Sequence, residues 1–586
     1  MSETRTVGTA ILDLLHREGI DTVFGLPGVH NLAFWSAETP VRIVGVRHEQ
    51  AAAYAADGYG RATGRVGVAL TTTGPGSINA LAAFGEAVVS GAPVLVISSD
   101  VSSALRSPDG PRGILHEMDD QAAPFAAFGR PARTVGSADE ALVAVAEALA
   151  IAGTPPTGPA YVGIPANILN AEWTDELPSA VATSPSTTGG ESLASPSDGD
   201  VAELAWLIAE SERVDMWAGG GVAQCGEMGE GVLRSLAERL GAPVVTTYAG
   251  RGLMAGHRLT IEASTHEPEV EAVLGEADLL LVVGSGFDAM HTKNWKMAMP
   301  KRRAAIALGD EIARTVPWEV LIRADLVQTL TTLLDALPSE DRPAWAPTGL
   351  REAVRERLVT DERMVEPVAF VEAVETWPTE GVVVTDMCVP GYWTSSHARH
   401  DRPRHLLNPV GWGTLGYALP AAIGPAAAGM PTLAVCGDGG PMFALGELAT
   451  YAQEKLPIAL VIVDDGGYGM LRYDQQVFGH PERGVDLMTP DWRLLAASFG
   501  IAYVEVDSLG GPTNAGPGAA GAAGVGPGAA GAAGVGPGAA GALTEALASA
   551  AARPGPTMIV LRAAFYPPAS TSPRWFETAT GPRETA

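Results

Sequence analysis

The chain has 586 residues, a formal net charge of −29 and 46% hydrophobic residues, so it is too long for one core and divides into about three domains. That negative charge excludes nucleic acid and anionic membrane surfaces as partners, because both would repel it. Cys225, Cys388 and Cys436 lie far apart without metal-ligand spacing, and residues 1–20 carry no basic segment followed by an apolar block; the expectation is a cytoplasmic protein without a disulfide framework or signal peptide.

Taken in order, residues 1–172 alternate helical stretches with short apolar strands at 21–25 (DTVFG), 41–46 (VRIVGV), 66–72 (VGVALTT), 93–99 (PVLVISS) and 160–165 (AYVGIP), the pattern of a parallel α/β sheet. Glu49 stands between VRIVGV and the helical run QAAAYAADGYG, where an acid is stabilised by the helix macrodipole. The stretch 110–125, GPRGILHEMDDQAAPF, opens as a loop and carries His116 and Gln121; an imidazole there is either a solvated loop residue or a proton shuttle near neutral pH.

Residues 173–199 are rich in Ser, Thr, Pro, Gly and acids and read as a linker. Alternation resumes over 200–338, with strands within VDMWAGGGV, APVVTTYAGRG, ADLLLVVGSGFD and RAAIALGDE. The glycines 219–221 lack the spacing of a dinucleotide fingerprint. A second linker spans 339–360, and the last domain, 361–586, begins with the strand GVVVTDM.

In that last domain, TLAVC and IALVIV flank MFALGELATYAQE, whose apolar residues recur at helical spacing. The three form a βαβ unit. The strands end in Cys436-Gly437-Asp438-Gly439-Gly440 and Asp464-Asp465-Gly466-Gly467-Tyr468-Gly469. Ligands of open parallel sheets sit at the carboxyl ends of strands, so Asp438 and Asp465 are expected to converge there. Two carboxylates beside glycine N–H groups and a helix N-terminus suit a divalent cation carrying a diphosphate. Within 510–542 a ten-residue Gly/Ala/Pro repeat, GPGAAGAAGV, interrupts the domain. Without large side chains it is expected to be a disordered insertion.

The spacing from Gly-Asp-Gly to Asp464-Asp465 resembles the thiamine-diphosphate signature, in which Asn-Asn stands at the second cluster. VFGLPGVHN, VRHEQAAAYAADGYGRATG and TTTGPGSIN resemble the pyrimidine-binding domain of the same family, which includes acetolactate synthase, benzoylformate decarboxylase and benzaldehyde lyase. The resemblance implies an α/β fold of three doubly wound parallel-sheet domains: pyrimidine-binding, central Rossmann-like and diphosphate-binding.

It also implies roles. Asp438, Asp465 and the carbonyl of Gly467 would bind Mg2+, and Gly439, Gly440 and Tyr468 would flank the diphosphate. Glu49 would hydrogen-bond N1′ of the aminopyrimidine and promote the imino tautomer that removes the C2 proton. From VGWGTLGYALPAAIG, the Gly413 carbonyl would accept from the 4′-amino group and Leu415 would wedge the cofactor into its bent form. His116 and Gln121 would face the substrate. Flavin-binding acetolactate synthases carry a Met-Gly-His-Gly type segment where this chain has Ile261 to Val270, IEASTHEPEV, which counts against bound FAD. The expected assembly is a homodimer or homotetramer with active sites at the subunit interface. The expected activity is decarboxylation or carboligation of 2-oxo acids and aldehydes. A benzaldehyde-lyase-like acyloin lyase and a non-catalytic cofactor-binding paralogue are the alternatives.

Overall fold

The computed structural model describes residues 5–174, 176–178, 194–409, 411–507, 509 and 538–571. Three six-stranded parallel sheets organise them. The first holds β1 (Thr22–Gly25), β2 (Arg42–Gly45), β3 (Gly67–Thr71), β4 (Val94–Asp100), β5 (Ala132–Thr134) and β6 (Ala160–Pro165), in spatial order 2-1-3-4-6-5. The second holds β7 (Val214–Ala218), β8 (Val244–Thr246), β9 (Thr260–Ile261), β10 (Leu279–Val283), β11 (Arg302–Ala307) and β12 (Val320–Arg323). Its order, 9-8-7-10-11-12, is that of the Rossmann fold. The third holds β13 (Val382–Thr385), β14 (Leu406–Leu407), β15 (Thr432–Gly437), β16 (Ile458–Asp464), β17 (Ala502–Val506) and β18 (Thr557–Arg562); its order, 14-13-15-16-18-17, repeats the first sheet strand for strand.

The strands are apolar runs because helices cover both faces of a parallel sheet. Every side chain of β10, LLLVV, is fully buried, and each such burial stabilises the fold by about 1.5–3 kcal/mol. In the first and third sheets the strand order reverses direction beside the first strand, which opens a crevice between β1 and β3 and another between β13 and β15.

By contact density the chain forms two compact units. One comprises Met1–Ser192, Pro409–Thr432 and Ala444–Ile458; the other comprises Leu193–Asn408, Leu433–Phe443 and Ala459–Ala586. The helical segments around Ala418–Ala427 therefore cluster with the first sheet, although their neighbours in sequence build the third. The contact is close: a Cβ on Gly58 would lie 2.1 Å from the carbonyl oxygen of Ala421, so only glycine fits there.

Three expectations change. The proposed linker 339–360 contains the helix Leu350–Leu358, whose Val354 and Leu358 enter the core. The helix read into MFALGELATYAQE breaks into 3-10 turns at Pro441–Phe443 and Leu445–Glu447 before the short helix Leu448–Gln453. The helix after the Gly/Ala/Pro repeat starts at Gly538, so 538–542 belong to it; the repeat from 510 to 537 lies outside the described residues, as do 175 and 179–193 of the first linker.

Candidate active site

In the first unit, β2 leads to His48, which caps the helix Glu49–Thr63 by accepting from the N–H of Gln50. Glu49 opens that helix and is 7% exposed. Its Oε2 accepts from Asn79 Nδ2 at 3.0 Å, which fixes the carboxylate. A Cβ on Gly76 would lie 2.8 Å from Oε1, so glycine there leaves room at that oxygen. The approach to Glu49 is braced from a distant segment: Arg47 N–H donates to Glu447 Oε1 at 2.8 Å, and Thr450 Oγ1 donates to Glu447 Oε2 at 2.7 Å.

His116 sits in the left-handed region at φ 69°. Its Nδ1 is buried without a hydrogen-bond partner, and its ring meets that of His30 edge to face at 5.5 Å. Burial, and then the charge of His116, push the His30 imidazole below its ordinary value. Gln121 is fully buried. Its Oε1 accepts from Gly74 N–H at 2.6 Å, and its Nε2 donates to the Ser99 carbonyl at 2.9 Å and to Tyr161 Oη at 2.8 Å. Gln121 therefore braces the TTTGPG turn, which differs from the expected group open to substrate. Gly413, at φ 82°, and Gly416, at φ 75°, flank Leu415 on a turn. Thr414 is anchored to Tyr54 by a 2.6 Å hydroxyl contact, and the Leu415 side chain is half-buried.

In the second unit, Asp438 follows β15 at the reversal point and is fully buried. Both of its carboxylate oxygens, and Oδ1 of Asp465, are buried with no hydrogen-bond partner. Burial first, and their mutual repulsion second, push the Asp438 carboxyl up; burial pushes that of Asp465 up against the pull of Arg472. Glycines make the cradle. A Cβ on Gly469 would lie 1.9 Å from Asp465 Oδ2, one on Gly467 would lie 2.0 Å from the Val485 carbonyl oxygen, and one on Gly440 would lie 2.8 Å from Asp386 Oδ2. Gly439 packs against the Tyr468 ring in the same way. Three orphaned oxygens from two acids fit a divalent cation that takes its remaining ligands from phosphate, water and backbone carbonyl.

The adjacent acid is held differently. Asp464 Oδ2 accepts from Trp492 Nε1 at 2.7 Å and forms an ion pair with Arg562, its register partner on β18. The pair of acids seen in the sequence is thus one compensated carboxylate and one open one. Sequence reading missed Asn79, Glu447, Trp492 and Arg562. Only Asn79 carried a signal, since it closes the TTTGPGSIN motif.

In the central domain, Ser264, Thr265, His266 and Glu267 are all buried. Glu267 pairs with His397 Nε2 at 3.0 Å and with Arg357. Burial lowers the His266 imidazole to about 3, while His397 and Arg357 hold the Glu267 carboxyl down at about 2 despite its burial.

Comparison with known proteins matches all three domains of the chain. Residues 5–123 match the thiamine pyrophosphate enzyme N-terminal TPP binding domain, 201–333 the central domain and 387–510 the C-terminal TPP binding domain. The chain is 34% identical to the probable 2-ketoarginine decarboxylase AruI of Pseudomonas aeruginosa, over 89% of this chain and 93% of that protein. It is 31% identical to the acetolactate synthase large subunit IlvB1 of Mycobacterium tuberculosis, over 84% and 82%. It is 29% identical to the acetolactate synthase isozyme 2 large subunit of Escherichia coli, over 84% and 89%. With three domain matches and near full-length relatives, the chain belongs to the thiamine pyrophosphate-dependent enzymes, among the 2-oxo acid decarboxylases and carboligases.

Proposed function

We propose that the protein is a Mg2+-dependent enzyme of acetolactate synthase type that decarboxylates a 2-oxo acid and passes the remaining fragment to a proton or to a second carbonyl compound. It would work in the cytoplasm as a homodimer or homotetramer with active sites at the subunit interface. The observation that carries this reading is the pair Asp438 and Asp465, whose three buried oxygens lack any protein partner at a sheet reversal point. When bound, thiamine diphosphate supplies a nucleophilic carbon and an electron sink for the bond to carbon dioxide.

The chain's own residues do the rest. Asp438, Asp465 and the Gly467 carbonyl would hold Mg2+ against the diphosphate. Glu49, fixed by Asn79 through one oxygen, would hold a proton at the pyrimidine N1′ with the other. The Gly413 carbonyl would accept from the amino group, with Leu415 against the rings. Gln121 would keep the Gly74 turn in shape. Flavin has no part in this reading, because the segment from Ser264 to Glu267 is packed against the protein's own side chains.

The unpartnered Nδ1 of His116 favours a second reading, acyloin cleavage without decarboxylation, in which His116 moves the proton. One experiment separates the two. Protein saturated with thiamine diphosphate and Mg2+ is incubated with 2-oxo acids, aldehydes and acyloins, and carbon dioxide and acyloin are both quantified. Carbon dioxide release from a 2-oxo acid supports the first reading; acyloin cleavage without it supports the second.

A further inference from the structure

The Asp465 loop runs directly into the helix Gly469–Val477, whose side chains divide by face. Arg472 reaches Asp486 at 3.0 Å, Gln475 bonds the Arg483 backbone and Gln476 bonds Glu482, so these polar groups are tied to the loop that follows. Met470 packs on the buried core. Asp474 lies one turn beyond Met470 on that same inward face, and its Oδ1 is buried with no hydrogen-bond partner. Burial pushes its carboxyl up to about 6.

The surroundings of Asp474 connect it to the metal site. The buried Tyr392 phenol is shifted upward by desolvation first, then by the charges of Cys388, Asp474 and Asp386. Cys388 in turn feels Asp386 and Asp465, and the Asp386 carboxylate is the group that a Cβ on Gly440 would strike. Asp474 stands less than two turns into a helix that starts at Gly469, four residues beyond Asp465, so it lies toward the same end of the third sheet as Asp438 and Asp465. No ion pair joins it to a lysine or arginine among the described residues; Arg472, the arginine of its own helix, is engaged by Asp486. Asp474 is half-buried, with one carboxylate oxygen withdrawn from water without a partner, which is unfavourable; a cation delivered by a ligand removes that penalty.

We propose that Asp474 is the specificity-determining group of this enzyme and selects 2-oxo acids whose side chain ends in a guanidinium or ammonium group. This rests on the 2-oxo acid reading above. A guanidinium suits it best, since its planar fork donates two parallel hydrogen bonds to one carboxylate. The relative matched over 93% of its length acts, by its name, on 2-ketoarginine, an acid with such a terminus.

The test compares decarboxylation of 5-guanidino-2-oxopentanoate, 2-oxohexanoate and pyruvate by the holoenzyme and by its Asp474→Asn and Asp474→Leu variants. The wild type is expected to favour the guanidino acid over 2-oxohexanoate by about 10-fold or more in kcat/KM, since a partly desolvated charge pair still discriminates against a side chain that leaves the buried oxygen unpaired. Asp474→Asn should remove most of that preference, chiefly through KM, while 2-oxohexanoate changes less than about threefold; Asp474→Leu should improve 2-oxohexanoate. A wild type that prefers an uncharged acid overturns the proposal without any variant. So does an Asp474→Asn protein, folded by its melting curve, that keeps the preference or loses all substrates equally. If no 2-oxo acid releases carbon dioxide, the underlying reading falls and takes this one with it.

Discussion

Two buried acids at the ends of parallel strands, Glu49 in the first unit and Asp438 in the second, are held in opposite ways. Glu49 is positioned by Asn79 and by a strand end that Glu447 braces, so the protein fixes one oxygen and leaves the other clear. Asp438 is more deeply buried and has nothing. A supported acid suits work on a proton, because its geometry must persist through protonation and deprotonation. An unsupported one suits a cation, which alone completes it. The same contrast recurs one bond apart, where Asp464 is closed by Arg562 and Trp492 and Asp465 is open.

The sharpest way to break the contrast is Asp438→Ala. Magnesium-dependent binding of thiamine diphosphate should fall below detection by calorimetric titration, and unchanged affinity would remove the metal assignment. Glu49→Gln should leave the fold and diphosphate anchorage intact, since the volumes match, but slow hydrogen–deuterium exchange at C2 of the bound cofactor by about 10² to 10⁴. Exchange as fast as wild type with cofactor bound would reduce Glu49 to a helix-terminal acid.

Stability measurements extend the comparison to acids outside the two sites. Arg562→Met leaves Asp464 buried with only the neutral donors Trp492 Nε1 and Gly466 N–H and should cost about 1–3 kcal/mol in urea unfolding, less than a fully buried pair because Arg562 is 47% exposed. Glu86 is fully buried with both oxygens unpartnered. Burial, and then Asp57, raise its carboxyl to about 8 against the pull of Arg61. The folded state thus keeps a proton that the unfolded chain releases above its ordinary value, and the associated stability is present in acid and lost as pH rises through 8. Glu86→Gln should therefore match wild type near pH 5 and exceed it by roughly 1–3 kcal/mol at pH 8; equal melting curves at both would contradict the burial argument. The smallest effect expected is that of Asp465→Asn. It keeps a ligand oxygen and removes one charge beside the diphosphate, so cofactor affinity should hold or rise; a loss of more than about tenfold, 1.4 kcal/mol, would show that the second carboxylate is required.

The three sheets were legible in the sequence because their longer strands are mostly apolar runs, whereas the short strands β5, β9, β12 and β14 left no such run to read. The ends of two of the longer strands also announced Asp438 and Asp465. What stayed hidden depends on pairings between distant residues. Arg562 meets Asp464 only because β18 lies beside β16, a neighbour relation that no local pattern encodes. Glu447 looks like an ordinary helix acid, and one of its partners is a backbone N–H four hundred positions earlier. The Leu350–Leu358 helix was read as linker because its run, LREAVRERL, is mostly charged and buries only Val354 and Leu358.

The packing of Ala418–Ala427 on the helix Glu49–Thr63 also governs when this protein can finish folding. Tyr54 and Thr414, which close that contact, are 360 residues apart. At about 5–20 residues per second, synthesis leaves the small-residue face of that helix bare for roughly 20–70 seconds. During that interval the Gly58 groove lacks its cover, and a nascent chain is open to pairing with another or to a chaperone. Truncation just before Pro409 should therefore yield a first sheet far more sensitive to protease around Tyr54 than the same sheet in the whole chain; equal resistance would mean that it closes by itself.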